Sequence, residues 1–280
     1  MTFLTPFGAH GLDVSPLGLG TSHTASLSTP HGLSSMGLFL EQAYEQGIRF
    51  FDTADIYGQG DAERLLARVA NKEGSVICTK AGLGIGRAQP LVRLVKPVLR
   101  PLLARYGALR HKSSTVRQSS ERHVLDPEML QRRLLGSLKR LKRDQVDVFL
   151  LHSPPLEMLA DGQLYDFLDQ VRDRGIACMT GISVQTLEDA WPIAKAGRVS
   201  ALQVPINAQT LAQAQPMLRL AAQSGIGVIA REVLSGAKDQ GAALTALLAD
   251  PLVPVSLVGT TSHSHLAANV SLMKKAVHAS

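Results

Sequence analysis

Along this chain, short apolar runs alternate with longer segments whose apolar residues recur at three- and four-residue spacing. The runs predict strands at Leu17–Gly20, Ile48–Phe51, Ser75–Lys80, Val146–Leu151, Ala177–Ile182, Ala201–Val204, Gly227–Ala230 and Val255–Val258. The segments between them predict helices at Ser34–Gln46, Asp61–Asn71, Asp126 to about Lys142, and Leu164–Arg174. Four more are predicted at Leu187–Ala196, Ala212–Ser224, Ala242–Asp250 and His265–Lys275. Several carry start or stop signals, such as Asp126-Pro127 opening one helix and Gly47 closing another. Asp61 and Glu63 stand in a first turn, where the helix dipole favours negative charge. Residues 1–16 read as a short hairpin or lead-in, with turn signals at Gly8 and at Gly11-Leu12-Asp13. The strands lack period-two alternation, which fits strands buried on both faces of a parallel sheet. Strict strand–helix alternation gives an α/β class, and eight repeats favour a closed (β/α)8 TIM barrel over an open sheet. The expectation is a single barrel domain over residues 1–280.

Composition changes this picture only in places. The chain of 280 residues is 45% hydrophobic, ample for one large core. Its two cysteines, Cys78 and Cys178, fall in apolar strand-like runs and are expected to be buried, inert thiols of a reducing compartment. The start lacks a basic and apolar leader, and no apolar run nears the ~20 residues of a membrane span. Location in the cytoplasm is therefore expected. The net charge of +6 is local in origin: residues 86–122 hold nine Lys or Arg against Glu121, hence +8, leaving −2 elsewhere.

The candidate chemistry sits at strand ends. Asp52 and Tyr57 lie in RFFDTADIYG, Lys80 closes SVICTK and His152 closes VDVFLLH. In a parallel barrel those ends open onto one face, where active sites are built. Singly, each residue has an ordinary reading: a salt bridge for Asp52 and Lys80, a structural hydrogen-bonder for His152, a rim aromatic for Tyr57. Together they suit carbonyl reduction, which needs a hydride from a nicotinamide cofactor and a proton donor at the oxygen. A cation near a phenol favours phenolate, and Lys80, held by Asp52, is the candidate cation. His152 would hydrogen-bond the substrate oxygen and fix its geometry. The Gly82-Leu83-Gly84-Ile85-Gly86 run is no dinucleotide fingerprint: its spacing is wrong, Pro90 follows closely, and no acid stands about 20 residues on.

With FFDTADIYG, the CTK strand end and the SLKRL…DVFLLH run, the chain resembles the aldo-keto reductase family from about Phe7 to about Asn269. The resemblance implies that Asp52, Tyr57, Lys80 and His152 form a catalytic tetrad, with Tyr57 the general acid in reduction and the base in oxidation. It implies that Ser183 and Gln203 bind the nicotinamide carboxamide, although Val184 stands where an Asn is usual. Arg231 takes the place of an aromatic that stacks on the nicotinamide in many relatives, and its planar guanidinium could cover the ring instead. Gly20 and Thr21, at the end of the first barrel strand, belong to the implied cofactor site, and Ser235 and Gly236 to its pyrophosphate end. Gly259-Thr260-Thr261-Ser262 precedes a helix, a natural phosphate site, with His265 and Asn269 toward the adenosine 2′-phosphate and adenine. His263 and His265 could equally be exposed polar residues at a helix start. NADPH is thus the implied cofactor, with NADH left open, and no metal site is expected. The partner is a small-molecule carbonyl compound, sugar-like or anionic among the options, acting on a monomer or weak homo-oligomer.

The basic stretch at about 85–125 interrupts the third strand–helix unit, and Pro97 and Pro101 limit any helix there. It reads first as a lid over the substrate pocket, with an amphipathic surface- or partner-binding segment as the alternative. Nucleic-acid binding is not expected, because no aromatic interleaving accompanies the charge. The chain stops five residues after Lys275, so the pocket is expected to be walled by the insertion and the early loops. Three rival activities follow. One is a nucleotide-binding regulatory subunit of the same fold, and another is an aldose dehydrogenase working oxidatively. The third is a Schiff-base lyase on Lys80, disfavoured because Asp52 would keep that amine protonated.

Overall fold

The computed structural model describes residues 3–24, 32–85 and 121–279. Its centre is a closed barrel of eight parallel strands: β3 (Leu17–Gly20), β4 (Phe50–Asp52), β5 (Val76–Ala81), β8 (Val146–His152), β9 (Ala177–Ser183), β10 (Ala201–Pro205), β11 (Gly227–Arg231) and β12 (Val255–Val258). Each neighbour pair, including β12 with β3, runs parallel. Eight α-helices alternate with these strands among the described residues: α1 (Leu33–Glu45), α2 (Asp61–Leu66), α3 (Pro127–Leu141), α4 (Gln163–Asp173), α5 (Leu187–Ala196), α6 (Leu211–Gln223), α7 (Gln240–Leu248) and α8 (His263–Ala279). The fold is the (β/α)8 barrel that the alternation predicts.

Side-chain parity divides the core in two. Phe50, Val76, Cys78, Val148, Leu150, Met179, Ala201, Ile229, Val255 and Leu257 fill the barrel interior as one cluster. Residues of opposite parity, such as Leu19, Phe51, Ile77, Phe149 and Ile182, join the larger cluster under the helices. Both faces are apolar, which is why the strands read as continuous apolar runs. The antiparallel hairpin of β1 (Thr5–Phe7) and β2 (Leu12–Val14) contributes Phe7 and Val14 to the interior cluster. The Phe7 ring lies 5.9 Å from that of Phe50, and a Cβ on Gly227 would come within 2.7 Å of it. A fully buried ring of this kind stabilises a fold by about 1.5–3 kcal/mol.

Local signals behave as their chemistry dictates. Asp126 caps α3 by accepting from the Met129 amide at 2.9 Å, with Pro127 just inside the helix. Thr186 and Asp189 form a reciprocal capping box at the start of α5. Boundaries shift where backbone groups are drawn elsewhere. The Ile48 amide donates to the Ala43 carbonyl and finishes α1, so the second barrel strand is Phe50–Asp52 instead of Ile48–Phe51. The second helix ends at Leu66, and the predicted remainder to Asn71 tightens into three-residue turns that still bury Val69 and Ala70. Cys178 is exposed, contrary to expectation: it stands near the start of β9 on the face turned away from Met179, whereas Thr180 and Ile182, further along that face, are buried. A second short hairpin, β6 (Leu83–Ile85) with β7 (Glu121–His123), stands on the end of β5. Most of the basic insertion, residues 86–120, lies outside the described residues. No described helix is long and apolar enough to cross a membrane.

Candidate active site

Parity that fills the interior also aims the polar strand ends. Asp52 follows Phe50, Lys80 follows Cys78, His152 follows Leu150, Ser183 follows Gly181, Gln203 follows Ala201 and Arg231 follows Ile229, each two residues on. All six therefore share the interior register, one layer above the apolar plug, at the C-terminal ends of the strands.

Lys80 and Asp52 form the centre. Lys80 Nζ donates to Asp52 Oδ1 at 2.5 Å and to the Thr53 carbonyl at 2.9 Å. Gln203 Nε2 donates to the same Asp52 oxygen at 2.8 Å, and Ser183 Oγ donates to Gln203 Oε1 at 3.0 Å. Burial alone would pull the Lys80 ammonium down, but the Asp52 carboxylate, with Tyr57 and Cys78 beyond it, outweighs burial and the net displacement is upward. Lys80 is thus a fixed cation. Its Nζ lies 5.4 Å from the centre of the Tyr57 ring, and that ring meets His152 edge to face with centroids 5.9 Å apart.

Tyr57 opens a short 3-10 turn, Tyr57–Gly60, in which Gly58, Gln59 and Gly60 all take positive φ. Glycine relieves that strain at two of the three positions, which accounts for the YGQG composition. Burial raises the phenol above its ordinary range, and Lys80 pulls it back. For His152, burial comes first and the positive charges of Lys80, Arg133, Arg231 and His123 follow. The imidazole is held well below its usual value, hence neutral near pH 7.

Asp52, Tyr57, Gln203 and Arg231 border a cavity of about 360 Å³, with Gly20, Ser235 and Gly259 also in its wall, whereas Lys80, His152 and Ser183 lie behind that wall. Its wall also includes Ser22, His23 and Glu232, which sequence reasoning did not single out. Thr21 is turned away: its hydroxyl donates to the Asp52 carbonyl at 3.0 Å, and its neighbours line the cavity instead. Only the position after the GLG strand could have signalled Ser22 and His23. Arg231 donates to the Val184 and Gln185 carbonyls at 2.7 and 3.1 Å and pairs with Glu232. Val184 itself packs into the cluster under the helices, so its lack of a polar side chain leaves no gap in the cavity wall.

Beyond Gly259 the chain reaches the start of α8, where Ser262 accepts from the His265 amide and touches the Ser264 hydroxyl. Thr260, Thr261 and Asn269 are partly exposed there and His265 is exposed, outside the cavity wall proper. His263 is committed elsewhere: it bonds Gln42 of α1 and sits edge-on to Phe39. Among the described residues, no group of three or more His, Cys, Asp or Glu could hold a metal ion.

A barrel with this polar layer at its mouth is an enzyme-like scaffold, and comparison with known proteins gives the family. Residues 16–244 match the aldo/keto reductase family, and the chain belongs to it. A pyridoxal 4-dehydrogenase from Microbacterium luteolum is 40% identical over 77 residues, which are 27% of this chain and 22% of that protein. A D-threo-aldose 1-dehydrogenase from a Pseudomonas species is 25% identical over 81% of this chain and 68% of its own length. Among solved structures, a Pseudomonas aeruginosa protein described as an aldo-keto reductase superposes with a TM-score of 0.77, at 24% identity, over 98% of this chain and 96% of that one. An aldo-keto reductase from Klebsiella pneumoniae in complex with NADPH gives 0.63, at 16% identity, over 98% and 90%. The two structural likenesses extend over the whole barrel.

Proposed function

We propose that this protein reversibly reduces an aldehyde or ketone to an alcohol with a nicotinamide cofactor, NADPH before NADH. The observation that carries the reading is the buried Lys80–Asp52 pair, 2.5 Å long, set against the Tyr57 ring, with Asp52 and Tyr57 in the cavity wall. When bound, the nicotinamide supplies the hydride, which no side chain can. The residues present fit such a group. Ser183 spends its proton on Gln203, so its hydroxyl offers lone pairs to the amino group of a carboxamide. At the other end, the hydroxyl-rich turn before the 17-residue helix α8 suits phosphate, with Thr260, Thr261, His265 and Asn269 assigned there. Gly20, Ser235 and Gly259 border the space between, and Arg231 covers its side.

In this reading Tyr57 donates its proton to the carbonyl oxygen as that oxygen gains charge. Lys80 stabilises the phenolate left behind, and Asp52 keeps Lys80 ionised. His152, neutral, donates a hydrogen bond to the same oxygen and fixes its direction. In the oxidative direction the Tyr57 phenolate takes the proton back. The likeness to D-threo-aldose 1-dehydrogenase favours, as a second reading, a sugar aldehyde or hemiacetal oxidised in that direction.

Initial rates over a panel of aldehydes, ketones and aldoses, with each cofactor and in both directions, test the proposal. Turnover of at least one carbonyl, faster with NADPH, is expected. Tight cofactor binding with no turnover in either direction would replace it with a nucleotide-binding regulatory role.

A further inference from the structure

Outside the tetrad, one cluster has no task in the chemistry above. Arg133 on α3 is largely buried; its Nε donates to Asp55 Oδ2 at 2.5 Å and its Nη2 to the Leu83 carbonyl. Asp55 lies between Asp52 and Tyr57 in sequence, and its amide donates to the Lys80 carbonyl at 3.1 Å. Leu83, the first residue of β6, packs with Ala54 and Ile56, and the Tyr57 side chain rests on that small cluster. Across the same hairpin Leu83 pairs with His123, whose Nε2 bonds the Ser153 carbonyl at 2.8 Å. Ser153 follows His152 and holds a positive φ of 51° that a serine rarely adopts. The hairpin is held on β5 by Gly82, where φ is 122° and an added Cβ would lie 3.0 Å from Leu125.

We propose that Arg133 and His123 are positioning residues: through the root of the β6–β7 hairpin they set Tyr57 and His152 against Lys80. Arg133 ties the Tyr57 loop to β6, and His123 ties β7 to the turn that follows His152. A single fork-shaped guanidinium reaches both Asp55 and Leu83, which a lysine cannot do. Asp55 keeps one buried oxygen, Oδ1, without a partner, so the bond to Arg133 is what secures that carboxyl. Its carboxyl is pushed up to about 6 by burial, opposed by Arg133, with Glu63 raising and Arg140 lowering it from α2 and α3. By charge, Arg133 and His123 act on the His152 imidazole, whereas the charges acting on the Tyr57 phenol are chiefly those of Lys80, Asp52, Arg231 and Cys78.

This inference rests on the reductase reading for its kinetics but not for its spectroscopy. Arg133→Met, Arg133→Lys, His123→Ala and the double variant Arg133→Met/Asp55→Asn, which leaves no unpaired carboxylate, are compared with wild type. For each folded protein, kcat and KM for a reduced carbonyl, NADPH affinity, and the Tyr57 titration are measured. That titration is the ultraviolet difference between each protein and its Tyr57→Phe counterpart. The expected result is a kcat lower by roughly 10- to 100-fold in Arg133→Met. KM and NADPH affinity should stay within about twofold, and the Tyr57 titration should move upward as the phenol leaves Lys80. The double variant should behave the same way, Arg133→Lys should recover only part of the loss, and His123→Ala should show a smaller fall. An unmoved Tyr57 titration in the folded Arg133 variants, whatever their kcat, would overturn the positioning role. If wild type reduces no carbonyl, the reductase reading fails, while the titration still decides this one.

Discussion

Two ion pairs begin on acids three residues apart, one ending β4 and one in the loop after it, and they do opposite things with similar geometry. Asp52–Lys80 and Asp55–Arg133 are both 2.5 Å long and both carboxylates are buried. Asp52 faces the barrel interior, where one oxygen takes donors from Lys80 and Gln203, and Lys80 finds a further acceptor in the Thr53 carbonyl. Asp55 faces α3, one of its oxygens has no partner, and its carboxyl is pushed up to about 6. The difference shows what surrounds a charge matters more than the length of its ion pair. The saturated pair holds a permanent cation beside Tyr57. The under-satisfied pair sits near the edge of ionisation and serves as a tie between loops.

Removing Lys80 should break this contrast most severely. Lys80→Met leaves Asp52 buried without its cation, which costs about 3–5 kcal/mol when a buried pair loses one partner. Turnover should fall by at least ~10²-fold, with the phenol of Tyr57 displaced further upward, because the cation that chiefly opposes burial there is gone. Calorimetry and steady-state kinetics on the same preparation check both. Next in size is the roughly 10- to 100-fold loss of kcat expected for Arg133→Met.

Asp55→Asn should sharpen the contrast through pH. A folded-state value near 6, above the unfolded 3.8, means that stability is greatest below about pH 4 and is lost as pH rises toward 6. Ionising the buried carboxyl then costs about 2–3 kcal/mol, and Asn, like protonated Asp, escapes that cost. Urea unfolding at pH 4 and pH 7 should show the variant gaining on wild type as pH rises; parallel behaviour would place the charge elsewhere. His152→Gln should have the smallest effect, of the opposite sign in pH. The wild-type imidazole is held well below its ordinary value, so the unfolded chain binds a proton first and stability is lost as pH falls through the unfolded value near 6.5. The variant should lack that part of the acid loss, as read from unfolding midpoints between pH 7.5 and 5.

Much of this architecture was legible from apolar runs, because strands buried on both faces announce themselves and eight repeats leave few alternatives. The interior aim of Asp52, Lys80 and His152 was equally legible, since period two from an apolar strand residue fixes the direction of its end. Three features were not. Ile48 reads as strand, yet its amide is drawn into finishing α1. Thr21 reads as a ligand, yet its hydroxyl is taken by the Asp52 carbonyl, a partner 31 residues away. Arg133 gives no local signal, because its partners Asp55 and Leu83 lie 78 and 50 residues off and meet it only after the barrel closes. Contacts formed by closure, in short, leave no trace in a window of sequence.

The most direct test is the rate of carbonyl reduction by Tyr57→Phe beside wild type, with NADPH affinity measured on both proteins. Poised as it is over the Lys80–Asp52 pair, Tyr57 should be needed as the acid. The expected result is a loss of about 10²–10⁴-fold in turnover with NADPH affinity preserved. Turnover within a few-fold of wild type would contradict it and put the proton donor on another residue.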